Sequence, residues 1–213
     1  MPSPRSETTP TLDAATLGRR DRKKNATRDR LIAEGARLFE TKGFDETTTT
    51  EIADAADVAQ RTLFRHFTTK EAVLFGDMVD LRFALRDALD DRPADEPVLE
   101  AVRQAVLALA DDHQRHAERR RLQFGLAATV PSVSAYSRAV VQTSWEREII
   151  RAVAERLGVD SIGDPRPEII AGAAMSALRV ATRQWTAGPA DADFVQLADA
   201  ALKATGDLGP TSH

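Results

Sequence analysis

Residues 60–66, with the sequence QRTLFRH, carry side chains that can bond to nucleic acid. A glutamine can make two hydrogen bonds to adenine, an arginine can make two to guanine, and a threonine methyl can meet the methyl group of thymine. On a helix, the side chains that share the open side are those of Gln60, Arg61, Thr62, Arg65 and His66. The side chains expected to point inward are Leu63, Phe64 and Phe67. The segment therefore predicts a helix whose polar side faces double-stranded DNA, although each of these residues taken singly is also compatible with an ordinary exposed side chain.

A second short helix is predicted just before this segment. The hydroxyl of Thr48 can cap its free amides while Glu51, three residues later, bonds back to the cap. Apolar residues follow at helical spacing, namely Ile52, Ala53 and Ala56. Asp57 then occupies a turn position that usually needs a positive φ, and Val58 is expected to pack back as an anchor. Two short helices separated by a tight turn predict a helix-turn-helix.

A longer helix is expected ahead of this pair to support it. Its apolar face is formed by Leu31, Ile32, Gly35, Leu38 and Phe39. Gly43 stands just after the last turn, where a glycine commonly ends a helix. Three helices are therefore predicted in this part of the chain.

Residues 22–75 resemble the N-terminal domain of the tetracycline-repressor (TetR) family of bacterial transcription regulators. That family's pattern is G-[FY], then T-T-x-x-x-I-A-x-x-A-G-V-S-x-x-T-[LF]-[YF]-x-[YH]-F-x-x-K. The matching residues here are Gly43-Phe44, Thr48-Thr49, Ile52-Ala53, Ala56-Asp57-Val58, Thr62-Leu63-Phe64, His66-Phe67 and Lys70. The chain departs from the pattern where Asp57 replaces Gly, Ala59 replaces the Ser that caps the recognition helix, and Phe64 replaces Tyr. The lost serine cap is worth about 1 kcal/mol.

The resemblance implies a role for each matching position. It assigns Thr49, His66 and Lys70 to phosphates of double-stranded DNA. The positions assigned to base edges or their neighbouring phosphates are Thr50, Gln60, Arg61 and Thr62. Lys70 is also expected to add its ammonium group to the positive end of the next helix.

The charge is divided unevenly along the chain. Residues 19–70 hold 12 Lys and Arg against 9 Asp and Glu, a net of +3, whereas the whole chain carries −4. A basic run precedes the first predicted helix and comprises Arg19, Arg20, Arg22, Lys23 and Lys24. This run is interpreted either as an arm that contacts DNA or as a solvated tail.

The composition excludes several enzyme classes. The chain has no cysteine, which excludes disulfides and thiolate catalysis. The four histidines do not form a zinc pattern, and there is neither a phosphate-binding glycine loop nor a nucleophile elbow. We therefore expect no enzyme activity, no cofactor and no metal.

The most apolar run, residues 169–178, is about half the length of a membrane span, so we expect no membrane insertion and a cytoplasmic location.

The rest of the chain also predicts helices. Residues 70–90 suit a long connecting helix, and five further segments follow at 95–117, 118–128, 132–157, 167–187 and 191–204. The predicted fold is all-α, with about nine helices. The predicted division is a disordered leader at 1–18, a DNA-binding domain at 19–70, an effector and dimerisation domain at 71–205, and a flexible tail at 206–213.

The last two helices carry faces of small and aliphatic residues. In TetR-like proteins the last two helices of each chain form a four-helix dimer interface, so the resemblance implies a homodimer that binds a palindromic operator. The residues expected at this interface are Ala173, Ala174, Ala177, Phe194, Leu197 and Ala201. The alternative is that these faces pack only within one chain.

TetR-like regulators place a small-molecule pocket in the C-terminal bundle, and filling it releases the DNA. The residues expected to line such a pocket are Phe124, Trp145, Ile149, Met175, Arg179, Arg183 and Trp185. The alternative is plain core packing for the apolar residues, and solvent exposure or a surface salt bridge for the two arginines. The second half is similar to actinobacterial regulators with an acyl-CoA-like ligand-binding domain, which implies a fatty acyl or other hydrophobic anion as effector. The competing hypothesis for the whole chain is an all-α protein-interaction scaffold without specific DNA binding.

Overall fold

The computed structural model describes the backbone of residues 14–206 and the side chains of residues 25–206. Within these residues the chain is helical and contains no strand, which confirms the all-α prediction. It forms two compact units, one up to Thr68 and one from Thr69 onward. The helices of the first unit are α1 (Ala14–Lys42), α2 (Thr49–Ala55) and α3 (Gln60–His66). Those of the second unit are α4 (Lys70–Leu74), α5 (Gly76–Asp90), α6 (Val98–Arg115), α7 (Ala117–Thr129), α8 (Pro131–Tyr136), α9 (Thr143–Leu157), α10 (Arg166–Ala187) and α11 (Phe194–Gly206).

The core of the first unit joins its three helices. The fully buried side chains of Leu31, Ile52 and Leu63 come from α1, α2 and α3 respectively. Gly43 ends α1 with a φ of +94°, a conformation that glycine adopts without steric cost. The ring of Phe39, on the last turns of α1, lies 5.0 Å from the ring of Phe44, measured between centroids. These contacts hold α2 and α3 against the supporting helix, as the sequence predicted.

Helix α1 begins earlier than predicted. Its first residue is Ala14, so the last part of the predicted leader, residues 14–18, is helical, and residues 1–13 lie outside the described part of the chain. The basic run at residues 19–24 also belongs to α1 and is not a separate segment ahead of it. At the other end, α11 finishes at Gly206, and the rest of the predicted tail lies outside the described residues. The boundary between the two units falls after Thr68, two residues before the predicted one.

Two of the nine predicted helices are interrupted. The helix predicted for residues 70–90 breaks at Phe75, whose φ and ψ are −101° and 11°. Phe75 is fully buried, and its ring stacks on that of Tyr136 at 6.0 Å, so packing fixes the break next to Gly76. The helix predicted for 132–157 divides into α8 and α9, which are joined by a π-helical segment, Ser137–Gln142. Such wide turns are uncommon and occur frequently at functional sites.

Helices α10 and α11 pack closely against each other within the single chain. Small side chains of α10 allow this approach, and Ala171 and Ala181 are fully buried. Three residues predicted at a dimer interface are buried in this core, namely Ala174, Ala177 and Phe194. Their surface is already covered by their own chain, so they offer little area to a second copy. The other three, Ala173, Leu197 and Ala201, are half-buried.

None of the helices in residues 14–206 combines the length and the apolar character that a membrane crossing requires.

Candidate nucleic-acid interface and effector cavity

Helix α2 begins with the predicted capping box. The Thr48 hydroxyl accepts a hydrogen bond from the Glu51 amide at 3.2 Å, and the Thr48 amide donates to the Glu51 carboxylate at 2.9 Å. The ammonium of Lys42, at the end of α1, lies 2.5 Å from the other oxygen of this carboxylate. Bonding from Lys42 and then from Thr48 lowers the pKa of Glu51 to about 2. The start of α2 is therefore tied both to its own cap and to α1.

The turn between α2 and α3 has the conformation predicted for it. Asp57 has a φ of +52° and is the one non-glycine residue with a positive φ in the described part of the chain. The amide of Val58 donates to the carbonyl of Ala53 at 3.0 Å, and the amide of Asp57 donates to the carbonyl of Asp54 at 3.0 Å. These two bonds form a Schellman motif, which ends α2 and sets the direction in which α3 begins.

Helix α3 presents the predicted polar side. The side chains of Gln60, Arg61 and Arg65 are exposed, and those of Thr62 and His66 are half-buried. The Nε2 atom of His66 is shielded from solvent, so this nitrogen does not face outward. Leu63 is buried as expected, and so is Phe67.

The side chain of Phe64 does not point inward as predicted. Its side chain is 48% exposed, because Leu63 and Phe67 fill the inward side of this short helix. The first residue before α3, Ala59, makes no side-chain bond to the helix, which agrees with the loss of a serine cap at this position.

A hydrogen bond links the predicted base-reading residues of α2 and α3. The amide nitrogen of Gln60 donates to the hydroxyl of Thr50 at 2.9 Å. Both side chains are exposed, and Thr49 beside them is half-buried. The helix-turn-helix thus brings Thr50 and Gln60, ten residues apart in sequence, to one polar edge. The side chains of the basic run at 19–24 lie outside the described residues.

Lys70 opens α4 and belongs to the second unit. The hydroxyl of Thr69 caps this helix by accepting the amide of Ala72 at 3.1 Å. One of the free amides on which the predicted anion site depended is therefore already bonded. The assignment of Lys70 to a phosphate remains a prediction.

A cavity of about 360 Å³ lies within the second unit. Five of the seven predicted pocket residues line it, namely Phe124, Trp145, Met175, Arg179 and Arg183. Ile149 and Trp185 do not line it, and both are fully buried in the packed core. Lining residues that the sequence reasoning missed include Met78, His113, Arg138, Val141, Leu178 and Phe194. The π-helical segment supplies Ser137, Arg138, Val141 and Gln142, so the wide turn forms part of the wall.

Three exposed arginines lie along the rim of this cavity. They are Arg138, Arg179 and Arg183, and none of them forms an ion pair with a carboxylate of residues 25–206. Arg138 donates to the Ser134 hydroxyl at 2.6 Å, and Arg179 donates to the Ser176 hydroxyl at 2.7 Å. Because these partners are neutral, the positive charge at the rim is uncompensated and favours an anion.

A buried polar network lies beside the cavity wall. Arg120 is 2% exposed, and its guanidinium bonds to Asp77 of α5 at 2.7 Å and to Asp112 of α6 at 3.0 Å. Gln123 accepts from Arg120 at 2.8 Å and donates to the carbonyl of Leu74, at the end of α4, at 2.7 Å. Burial alone would raise the pKa of Asp77, but the charge of Arg120 and the hydrogen bonds outweigh burial and lower it. The network therefore joins α4, α5, α6 and α7.

The comparisons with known proteins agree with this architecture. Residues 31–76 match the family described as bacterial regulatory proteins, tetR family, and residues 96–207 match the MftR C-terminal domain. The chain is 34% identical over 198 residues to the transcriptional regulator TcmR of Streptomyces glaucescens, covering 91% of this chain and 87% of TcmR. It is 28% identical over 164 residues to MftR of Mycobacterium tuberculosis, named as a regulator of mycofactocin biosynthesis, covering 77% of this chain and 82% of MftR.

A solved structure shows the same fold. Thermus thermophilus FadR, a TetR-family transcriptional repressor in complex with lauroyl-CoA, superposes with a TM-score of 0.58 at 22% identity, covering 87% of this chain and 99% of FadR. Neither these relatives nor the families matched are enzymes. The described residues also hold no group of His, Asp or Glu side chains arranged to bind a metal ion.

Proposed function

This chain belongs to the TetR family of DNA-binding transcriptional regulators, and we propose that it is a repressor that binds a palindromic operator as a homodimer and is released by a hydrophobic anion. DNA binding is supported above all by the polar edge that Thr50 and Gln60 form, with the exposed Arg61 and Arg65 beside it. These residue types can bond directly to base edges. The scaffold hypothesis is not favoured, because both relatives are named as transcriptional regulators. A bacterial DNA-binding regulator acts in the cytoplasm, where the chromosome lies.

We assign base edges or adjacent phosphates to Thr50, Gln60, Arg61 and Thr62, as the sequence predicts. Phosphate contacts are assigned to Thr49, His66 and Lys70. The exposure of Arg65, on the same side of α3, supports a phosphate contact for it as well. One seven-residue helix reaches few base pairs, so specificity needs two half-sites read by two copies.

An exposed stripe on α10 supports the homodimer. Ile169 is 64% exposed and Val180 is 37% exposed, and they lie eleven residues apart on one side of the helix. Ala173 and Ser176 fall between them at helical spacing on the same side. This stripe replaces the buried Ala174 and Ala177 in the proposed interface, while Ala173, Leu197 and Ala201 stay in it.

The cavity supports an effector with an apolar body and an anionic group. Its wall is mostly apolar, and its rim holds the uncompensated arginines. Its volume of about 360 Å³ lies in the range of small-molecule sites. The lauroyl-CoA bound to FadR is also a hydrophobic anion, and it supports an acyl-type effector as one member of this class.

The polar network offers a route from the cavity to α4. Phe124 lines the cavity, and its neighbour Gln123 bonds to the Leu74 carbonyl. His113 lines the cavity too, and its neighbour Asp112 bonds to Arg120. A ligand that displaces either wall residue therefore also strains the bonds that hold the end of α4, the helix that follows the recognition helix in sequence.

Selection from genomic DNA tests the proposal. The purified chain is incubated with sheared DNA from its own organism, and retained fragments are sequenced with and without lauroyl-CoA and dodecanoate. We expect a few retained sites with inverted half-sites, and weaker retention in the presence of an anion that fills the cavity. Retention without sequence preference would contradict the proposal.

Sedimentation tests the interface with a matched pair of variants. Ile169→Asp places a charge on the proposed stripe and is expected to give a monomer. Ile162→Asp changes a side chain that is 94% exposed outside the stripe and is expected to remain a dimer. A wild-type chain that sediments as a monomer at micromolar concentration would refute the homodimer.

A further inference from the structure

The orientation of His113 in the cavity wall is fixed by three aromatic rings. His113 lies on α6 and is 4% exposed. Its ring stacks between those of Phe124 and Phe194, with centroid distances of 5.8 and 5.2 Å. The ring of Trp145 meets it edge-on at 5.8 Å. The imidazole cannot turn without displacing these rings, so its two nitrogens keep their directions.

The position of the proton on His113 follows from its one hydrogen bond. The Nδ1 atom lies 2.9 Å from the carbonyl oxygen of Leu109, and a carbonyl can only accept, so Nδ1 carries the hydrogen. Burial and, after it, the charge of Arg120 lower the pKa of His113 to about 4, so the ring is neutral at pH 7. In this tautomer Nε2 is an acceptor.

The acceptor is not used by the protein itself. None of the hydrogen bonds among residues 25–206 involves Nε2 of His113, and this nitrogen is not one of their shielded polar atoms, so it is accessible from the cavity that the residue lines. A ligand donor that reaches this nitrogen gains a hydrogen bond. A carboxylate or carbonyl oxygen cannot supply it, because both are acceptors, and the end of a saturated acyl chain has no polar hydrogen.

We propose that the effector is a hydroxyaromatic anion whose hydroxyl donates a hydrogen bond to Nε2 of His113. This inference rests on the proposed function of the cavity and specifies the ligand class within it. The wall favours an aromatic body, because Phe124, Trp145 and Phe194 offer ring faces and edges and Met78 and Met175 offer polarisable sulfur atoms. The anionic group lies toward the arginine rim.

Calorimetric titration of the full chain with four probes tests the inference. The probes are 6-hydroxy-2-naphthoate, 6-methoxy-2-naphthoate, 2-naphthoate and dodecanoate. We expect the hydroxy compound to bind about tenfold more tightly than the other two naphthoates, because only it donates a hydrogen bond. In His113→Phe, which keeps a flat ring but has no acceptor, the three naphthoates should bind with nearly equal affinity. Circular dichroism checks that the variant is folded.

The outcomes separate this inference from the proposed function. Equal binding of the hydroxy and methoxy compounds to the wild type would overturn the hydroxyl contact and leave the cavity as an effector site. Tighter binding of dodecanoate than of all the naphthoates would overturn the aromatic class. Absence of binding by any of the four probes would refute both the inference and the assignment of the cavity. The wild-type comparison decides the question even if His113→Phe does not fold.

Discussion

Protonation of His113 should make the stability of the second unit depend on pH. Its pKa is 6.5 in an unfolded chain and about 4 in the folded one, so the unfolded state binds a proton first as the pH falls. The stabilising effect is therefore fully present above pH 6.5 and is lost as the pH falls toward 4. Between pH 7 and pH 5 this single group should remove about 2 kcal/mol from the free energy of unfolding.

The assay compares how the free energy of unfolding changes with pH in each protein, rather than its absolute value. Urea unfolding of the wild type, His113→Phe and His113→Leu is followed by circular dichroism at pH 7, 6 and 5. Both variants should lose about 2 kcal/mol less than the wild type over this range, because the other histidines and all the carboxylates are present in every chain. Because Phe and Leu differ in shape, a pH effect shared by both variants cannot come from the packing of one replacement. The same pH dependence in all three proteins would refute the buried, neutral state of His113.

Three further changes test the local structure by denaturant unfolding. Replacing Asp57, whose φ is +52°, by Ala should cost about 1 kcal/mol relative to its replacement by Gly; equal stabilities would show that the turn does not hold this conformation. Leu63→Ala should cost about 2 to 5 kcal/mol, whereas Phe64→Ala should change stability by less than about 0.5 kcal/mol because its ring is half-exposed; a large loss in the second variant would place that ring in the core. Gln123→Leu leaves the Leu74 carbonyl without its donor and should cost about 1 to 3 kcal/mol of stability. If the polar network couples the cavity to α4, this variant should also release DNA less readily when an anion fills the cavity.

The helix-turn-helix could be predicted in detail because its determinants are local. The capping box depends on Thr48 and Glu51, three residues apart, and the positive φ of Asp57 depends on a turn of fixed length. Both follow from residue types at short spacing. Phe64 was placed wrongly because the side chains of Leu63 and of Phe67, just after this seven-residue helix, already fill its inward side.

The cavity could be predicted only in part, because its walls come from distant segments. His113 had no sequence signal, since its role arises where α6 meets Phe124 of α7 and Phe194 of α11. Phe194 was expected at a dimer interface because the apolar face of the last helix can pack within one chain as well as between two. The break at Phe75 likewise depends on Tyr136, sixty-one positions along the chain, and cannot be found from the helical pattern of residues 70–90.

Binding titrations on the operator and on a scrambled duplex, at several salt concentrations, test directly whether α3 reads bases. We predict that Arg61→Ala loses about 1 to 3 kcal/mol on the operator and relaxes the preference at one base position. Lys70→Ala should instead weaken binding to both duplexes alike and reduce the salt dependence by about one ion. Unchanged affinity and unchanged sequence preference in Arg61→Ala would show that α3 does not read bases through this residue.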